Sequence, residues 1–309
     1  MRTMISYMVL AAAIYFVPSV QAVAAERTYI IGFAQDNMGN DWRAAQVHAV
    51  EQALSKYDNV KFVYTDAAGS VAQNIQDIED LADQGMDLLI VSPRNPQAMT
   101  PVISALYDRN IPVVLLTRKM TNDKYTTFIS PNDFQIASQA ADQVAAASGG
   151  KAKILMLQGV PTATTAVQRT QGFIERMKAH PGMSIVDIIP ANYQRAEAVK
   201  VVQGVLESGM KFDAIYAQSD SMAAGARLAL MGAGIDLKSI PVVGIDYIPE
   251  AREAIRAGEQ YASFTYPTCG DVGADIALRI LRGEAVPRQI EVPSQMVTQE
   301  NVDQVESIF

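Results

Sequence analysis

The sequence predicts an α/β protein made of two doubly wound parallel-sheet lobes joined by three hinge crossings. Three observations lead there. Short apolar runs alternate with longer amphipathic ones along the chain, the runs are too many for one comfortable open sheet, and proline-marked extended segments interrupt the alternation at spaced intervals. A chain of 309 residues can also bury more than one core, and domains usually hold about 100 to 200 residues.

The strand candidates, in order, are Tyr29 to Ala34, Val60 to Thr65, Leu88 to Val91, Val113 to Thr117, Lys153 to Leu157, Ile185 to Ile189, Ala214 to Ala217, Val242 to Ile245 and Ala262 to Tyr266. Runs such as Leu88-Leu89-Ile90-Val91 are apolar throughout, the pattern of strands covered on both faces. Helical spacing lies between them. Val47, Val50 and Leu54 fall on one face behind a candidate N-cap at Asp41, Val71, Ile75, Ile78 and Ala82 do so behind Ser70, and Asp220 is a further candidate N-cap before a helical pattern.

The extended segment from Thr126 to Pro131 breaks this rhythm, because the residue before a proline is driven out of helical geometry. It suits a chain leaving one lobe for the other. Breaks at Tyr266-Pro267-Thr268 and Val292-Pro293-Ser294 return the chain and cross once more. The expected division is 26–130 plus 267–292 for the first lobe and 131–266 plus 293–309 for the second.

Residues 1–25 are read separately. Arg2 gives a short positive start, Met4 to Val20 is almost wholly apolar, and Gln21 to Ala25 offers small-residue cleavage sites, the layout of a secretory signal peptide. No stable membrane insertion is expected after cleavage. The single cysteine, Cys269, lies far away, so no lipid-bearing cysteine follows the signal and no intramolecular disulfide can form. A soluble monomer in the periplasm is the simplest reading. Hydrophobic content of 49% with 19% charged residues fits a globular protein, and a net charge of -8 without a basic cluster argues against nucleic acid as partner.

In open α/β sheets, ligands bind beyond the carboxyl ends of the strands. Those ends carry a repeated polar chemistry. Asp36, Asn37, Trp42 and Arg43 follow the first strand, Arg118 the fourth; Arg169, Ser219, Asp220 and Asp246 occupy the matching places in the second half. A sugar presents hydroxyls that both donate and accept, so carboxylates beside guanidinium groups, with a ring to cover its C–H face, form a suitable set.

The stretches GFAQDNMGNDWRAAQ (32–46), LLTRK (115–119), AVQRTQGF (166–173), YAQSDSMAAGA (216–226) and VVGIDYIPEAREAI (242–255) together resemble the periplasmic sugar-binding proteins of ABC importers, the ribose and galactofuranose binders of the type I two-lobed class. The resemblance runs from about residue 28 to 298. It implies a receptor that closes on a monosaccharide, a pentose, hexose or related polyol, and delivers it to an ABC permease. It further implies ligand contacts at Asp36, Asn37, Trp42, Arg43, Arg118, Arg169, Tyr193, Ser219, Asp220, Asp246 and the hinge residue Tyr266. Thr117 stands where the family carries an aspartate, and Ser219 where it carries an asparagine.

Other readings have less behind them. Asp220 with Asp246 is a conceivable glycosidase pair. Against enzymes, the chain has no nucleophile elbow, P-loop, full dinucleotide glycine fingerprint or HExxH, and His48 and His180 have no metal-ligand spacing. No cofactor and no metal are expected. Sugar-responsive repressors share the core but carry a helix-turn-helix where this chain has its signal-like segment. A sensor feeding a chemoreceptor or histidine kinase would have the same fold and site.

Overall fold

The computed structural model describes residues 27–309; the signal-peptide reading falls on residues outside that range. The first half runs β1 (Tyr29–Gln35), α1 (Asp41–Leu54), β2 (Val60–Asp66), α2 (Val71–Asp83), β3 (Leu88–Val91), α3 (Pro96–Asp108), β4 (Val113–Leu116) and β5 (Thr127–Ser130). The second half runs α4 (Asp133–Ala147), β6 (Lys151–Gln158), α5 (Thr164–Met177), β7 (Gly182–Pro190), α6 (Arg195–Glu207), β8 (Ala214–Ala217), α7 (Asp220–Gly232), β9 (Val242–Val243), α8 (Pro249–Ala257) and β10 (Ala262–Phe264). The chain ends with α9 (Gly270–Leu281), β11 (Gln289–Glu291) and β12 (Met296–Thr298).

These strands form two sheets, ordered β11-β5-β4-β3-β1-β2 and β12-β10-β9-β8-β6-β7. Every pairing is parallel except β10 with β12. The sequence expectation of two doubly wound sheets is therefore met. The chain passes from the first sheet to the second between β5 and α4, returns between β10 and α9, and crosses again between β11 and β12.

The period-2 pleat explains why β3 is apolar at every position. Leu88 and Ile90 point into a core with Val47 and Val50 of α1 and Ala274 of α9, whereas Leu89 and Val91 enter a core with Ile78 of α2 and Ile103 of α3. The second sheet repeats the arrangement. Ile154 and Met156 face α4 and Phe173 of α5, while Leu155 and Leu157 face Val202 of α6 and Met222 of α7. Each such side chain taken fully from water contributes about 1.5 to 3 kcal/mol.

Three details differ from the sequence reading. The N-cap of α1 is Asn40, whose side chain accepts from Arg43 N while its backbone stays extended; Asp41 is already helical. Ser219, likewise, caps α7 and Asp220 is the first helical residue. Strands β11 and β12 had not been expected, since three residues each are too few to show a period. Ser70 caps α2 as read.

The crossings are tied to one another. Val292 N donates to Ser130 O over 3.1 Å, and Thr265 N to Gln295 O over 2.8 Å. Tyr266, on the second crossing, donates its hydroxyl to Asp133 at the start of α4 over 3.2 Å. All three connections thus meet within one hydrogen-bonded strip.

Candidate functional site

Between the two sheets lies a narrow cavity of about 30 Å³, lined by polar and aromatic side chains from both halves. The first half supplies Asn40, Trp42 and Arg43 from the start of α1 and Thr117 from the end of β4. The second supplies Thr165 and Arg169 of α5, Tyr193 from the loop after β7, Asp246 after β9, and Tyr266 on the crossing. The halves touch around it. Asn40 Nδ2 donates to Tyr193 O over 2.7 Å, Lys119 N to Thr164 Oγ1 over 3.0 Å, and Thr162 Oγ1 to Arg94 O over 2.9 Å.

Of the residues expected from sequence, Trp42, Arg43, Arg169, Tyr193, Asp246 and Tyr266 line the cavity. Asp36 and Arg118 sit just behind the lining as a buried ion pair at 3.0 Å, with Arg94 at 3.3 Å and the Arg43 Nε at 3.6 Å from the same carboxylate. The remaining three are engaged elsewhere. Asn37 Oδ1 accepts from Gly39 N and shapes the turn into α1, Ser219 caps α7, and Asp220 is wholly buried among Tyr247, Ser263 and Gln260. Asp220 is thus withdrawn from any glycosidase-like pairing with Asp246 at the cavity. Asn40, Thr117 and Thr165 line it without having been chosen from sequence. Asn40 had a signal, its place in the polar run before Trp42, whereas Thr165 had none.

The charges are unevenly satisfied. Burial penalises the Asp36 carboxylate, but Arg118, then Arg43 and Arg94, overcome this and hold its pKa below the usual carboxylate value. Burial, reinforced by the charge of Arg118, brings Arg43 down to about 10. Arg169 is also desolvated, yet Asp133, which accepts from its Nε at 2.8 Å, keeps it well above the ordinary guanidinium range. Asp246 differs. Among the described residues its carboxylate receives no hydrogen bond, only 5% of the residue is exposed, and burial pushes its pKa well above the usual value against the pull of Arg169.

The aromatic rings complete the wall. The Trp42 ring lies 5.6 Å from that of Tyr266 and its Nε1 donates to Tyr266 O over 2.8 Å. Arg43 lies 4.9 Å from the Trp42 ring centroid, and Arg169 stands 4.3 Å from that of Tyr266. Arginine donors, an unengaged carboxylate acceptor and ring faces around a narrow cleft suit a compact, many-hydroxyl ligand.

One pH effect follows from the site. Burial pushes Asp220 up to about 6, and Asp246 well above the ordinary 3.8, so both bind a proton more tightly folded than unfolded. The contribution of Asp220 to stability is full below about 4 and is lost as pH rises through about 6, by on the order of 3 kcal/mol, and Asp246 acts in the same direction. Asp36 acts oppositely but only below 3.8, outside that window. The melting temperature is expected to be higher at pH 5 than at pH 7; a curve that rises across this interval would contradict it.

Two sheet lobes with a residue-lined cavity at their junction and three crossings beside it define a two-lobed α/β architecture. The chain belongs to the family described as periplasmic binding protein domain, whose model matches residues 31–285. It is 29% identical to a putative rhizopine-binding protein of Rhizobium meliloti, over 82% of this chain and 85% of that one. It is 28% identical to the ribose import binding protein of Escherichia coli, over 77% and 80%. Among solved structures, the fructose-binding periplasmic domain of a hybrid two-component system superposes with a TM-score of 0.85 at 30% identity, covering 89% of this chain and 92% of that one. An ABC transporter solute-binding protein of Bacillus halodurans with bound myo-inositol gives 0.85 at 25%, covering 91% and 98%. Among the described residues, no helix is long and apolar enough to cross a membrane.

Proposed function

We propose that this chain is a periplasmic receptor that captures a monosaccharide or related polyol, unchanged, between its lobes and presents the closed form to an ABC permease. The observation that carries the reading is the Asp246 carboxylate, buried without a protein hydrogen bond and facing Arg43 and Arg169 in a ring-walled cavity. Its relatives include binding proteins named for ribose import, for rhizopine and for galactofuranose. Residues 1–25 act as the secretory signal, and no catalysis is involved.

In this reading 26–130 plus 267–292 and 131–266 plus 293–309 move as two bodies. The ligand shifts the population towards closure because its contacts to Arg43 and Trp42 on one side and to Arg169 and Asp246 on the other exist together only when closed. Asp36 and Arg118 keep the first wall rigid behind the lining. The likeness to the fructose-binding domain of a hybrid two-component system favours a second use of the same site, as a sensor input to a kinase or chemoreceptor.

A thermal-shift screen over pentoses, hexoses, polyols and sugar acids tests the proposal, with fluorescence of the single tryptophan, Trp42, as a second readout at the cavity wall. A ligand at about 100 times its Kd stabilises the native state by about 2.7 kcal/mol and raises the melting temperature by several degrees. A selective shift from one sugar or polyol, accompanied by a change in Trp42 emission, is the expected result. No shift across the panel, or release of product from a glycoside, would sink it.

A further inference from the structure

Beside the cavity, two consecutive non-glycine residues hold positive φ, Asp246 at 120° and Tyr247 at 58°. Side chains rarely tolerate that region, and such a turn persists only where its surroundings over-determine it. The surroundings here converge on one carboxylate. Tyr247 N donates to Asp220 Oδ2 over 2.6 Å, Ser263 Oγ donates to the same oxygen, and Gln260 Nε2 donates to Oδ1 over 2.7 Å. Asp220 also donates its own N–H to Ile245 O over 2.6 Å, directly before the turn.

The arrangement admits little else. Arg227 donates to Gln260 Oε1, so the amide cannot turn round to offer its oxygen to residue 220 without losing that bond. Three donors therefore need two acceptor oxygens, which a carboxylate has and an amide lacks. Gly244 leaves the space: a Cβ there would lie 1.9 Å from Asp220 Oδ1. On its other side the turn is held by Asp246 N, which donates to Phe264 O over 2.9 Å, and by the Tyr247 hydroxyl, which donates to the carbonyls of Val302 and Val305.

We propose that Asp220 is a positioning residue for the ligand site: from behind, its carboxylate clamps the Asp246–Tyr247 turn and thereby aims the Asp246 carboxylate into the cavity, without itself touching the ligand. This rests on the reading of the cavity as a sugar or polyol site. It assigns Asp220 a role in affinity that its complete burial hides. It also accounts for a carboxylate wholly enclosed among neutral donors, where the nearest cation, Arg227, reaches it only through Gln260.

The test has two arms on the full chain. In Asp220→Asn, amide exchange over residues 244–250 should accelerate by about tenfold or more while β6 and α5 keep their protection. Unchanged exchange overturns the clamp, whatever the sugar does. In the second arm, the panel member giving the largest thermal shift is the probe. Asp220→Asn should weaken its binding about tenfold, Asp246→Asn by at least as much, and the double variant no more than Asp246→Asn alone. A merely structural role would lower the melting temperature but leave the affinity of the folded protein intact, or add its loss to that of Asp246→Asn; either overturns the proposal. If Asp220→Asn does not fold, Ser263→Ala removes one donor to the clamp, and its loss of affinity should vanish in the Asp246→Asn background. A loss that persists there overturns it too. If the unaltered protein binds no member of the panel, the sugar reading falls, and the exchange arm separates that failure from failure of the clamp.

Discussion

Arg169→Ala is expected to weaken sugar binding by well over tenfold and to lower stability by about 3 to 5 kcal/mol. Two duties meet in this guanidinium. Its Nε pairs with Asp133 at 2.8 Å, its Nη1 donates to Gln218 O, and it stands 4.3 Å from the Tyr266 ring, while the residue also lines the cavity. Truncation removes a charged donor from the cavity wall. It also strands the Asp133 carboxylate, which is 2% exposed and would keep only the Tyr266 hydroxyl. Breaking a buried pair from one side costs more than the pair contributes, because the remaining charge stays desolvated. The companion variant Asp133→Asn separates the two effects: in that background Arg169→Ala should recover much of the lost stability and none of the affinity. Calorimetry and urea unfolding measure both. Unchanged affinity in a folded Arg169→Ala protein would remove Arg169 from the ligand site.

The fold was legible because most of its strands are interior and only the four at the sheet edges are not. Apolar runs such as Leu88 to Val91 and Ala214 to Ala217 are bounded by polar residues, so their limits in the structure match those read from sequence. What stayed hidden was short or local. Strands β11 and β12 carry no period, and the N-caps of α1 and α7 lie one residue before the aspartates first considered. The site was legible by position and less so by direction. Trp42, Arg43, Arg169, Tyr193, Asp246 and Tyr266 reach the cavity, but Asn37 and Ser219 turn to their own backbone neighbourhood and Asp220 to distant partners behind the cavity. A strand end says where a residue sits. Whether its side chain points at a ligand or satisfies a nearby N–H depends on tertiary partners such as Ser263 and Gln260, more than forty residues away from Asp220 in one case and forty in the other.

Trp42→Ala is expected to cost about 3 to 5 kcal/mol of stability and to weaken ligand binding as well. The ring belongs by sequence to the first half, yet it packs in a cluster with Tyr266, Phe264 and residues of the second sheet, with only 4% of its surface exposed. Its Nε1 donates to Tyr266 O on the second crossing, so it joins the lining of one lobe to the hinge strip. Arg43 lies over the ring, and loss of that support frees a cavity-lining guanidinium to move. Trp42→Phe keeps most of the buried area and loses the hydrogen bond, for a cost of about 1 to 3 kcal/mol. The pair of variants therefore distinguishes packing from the tie to the hinge. Circular dichroism must follow unfolding, since the only tryptophan is gone. If the tie matters for closure, Trp42→Phe should lose affinity out of proportion to its small loss of stability, and scattering with saturating ligand should still show the compact form. If Trp42→Ala binds and unfolds like the parent, the ring is a bystander at the cavity, and closure on the ligand is left to Arg43, Arg169 and Asp246.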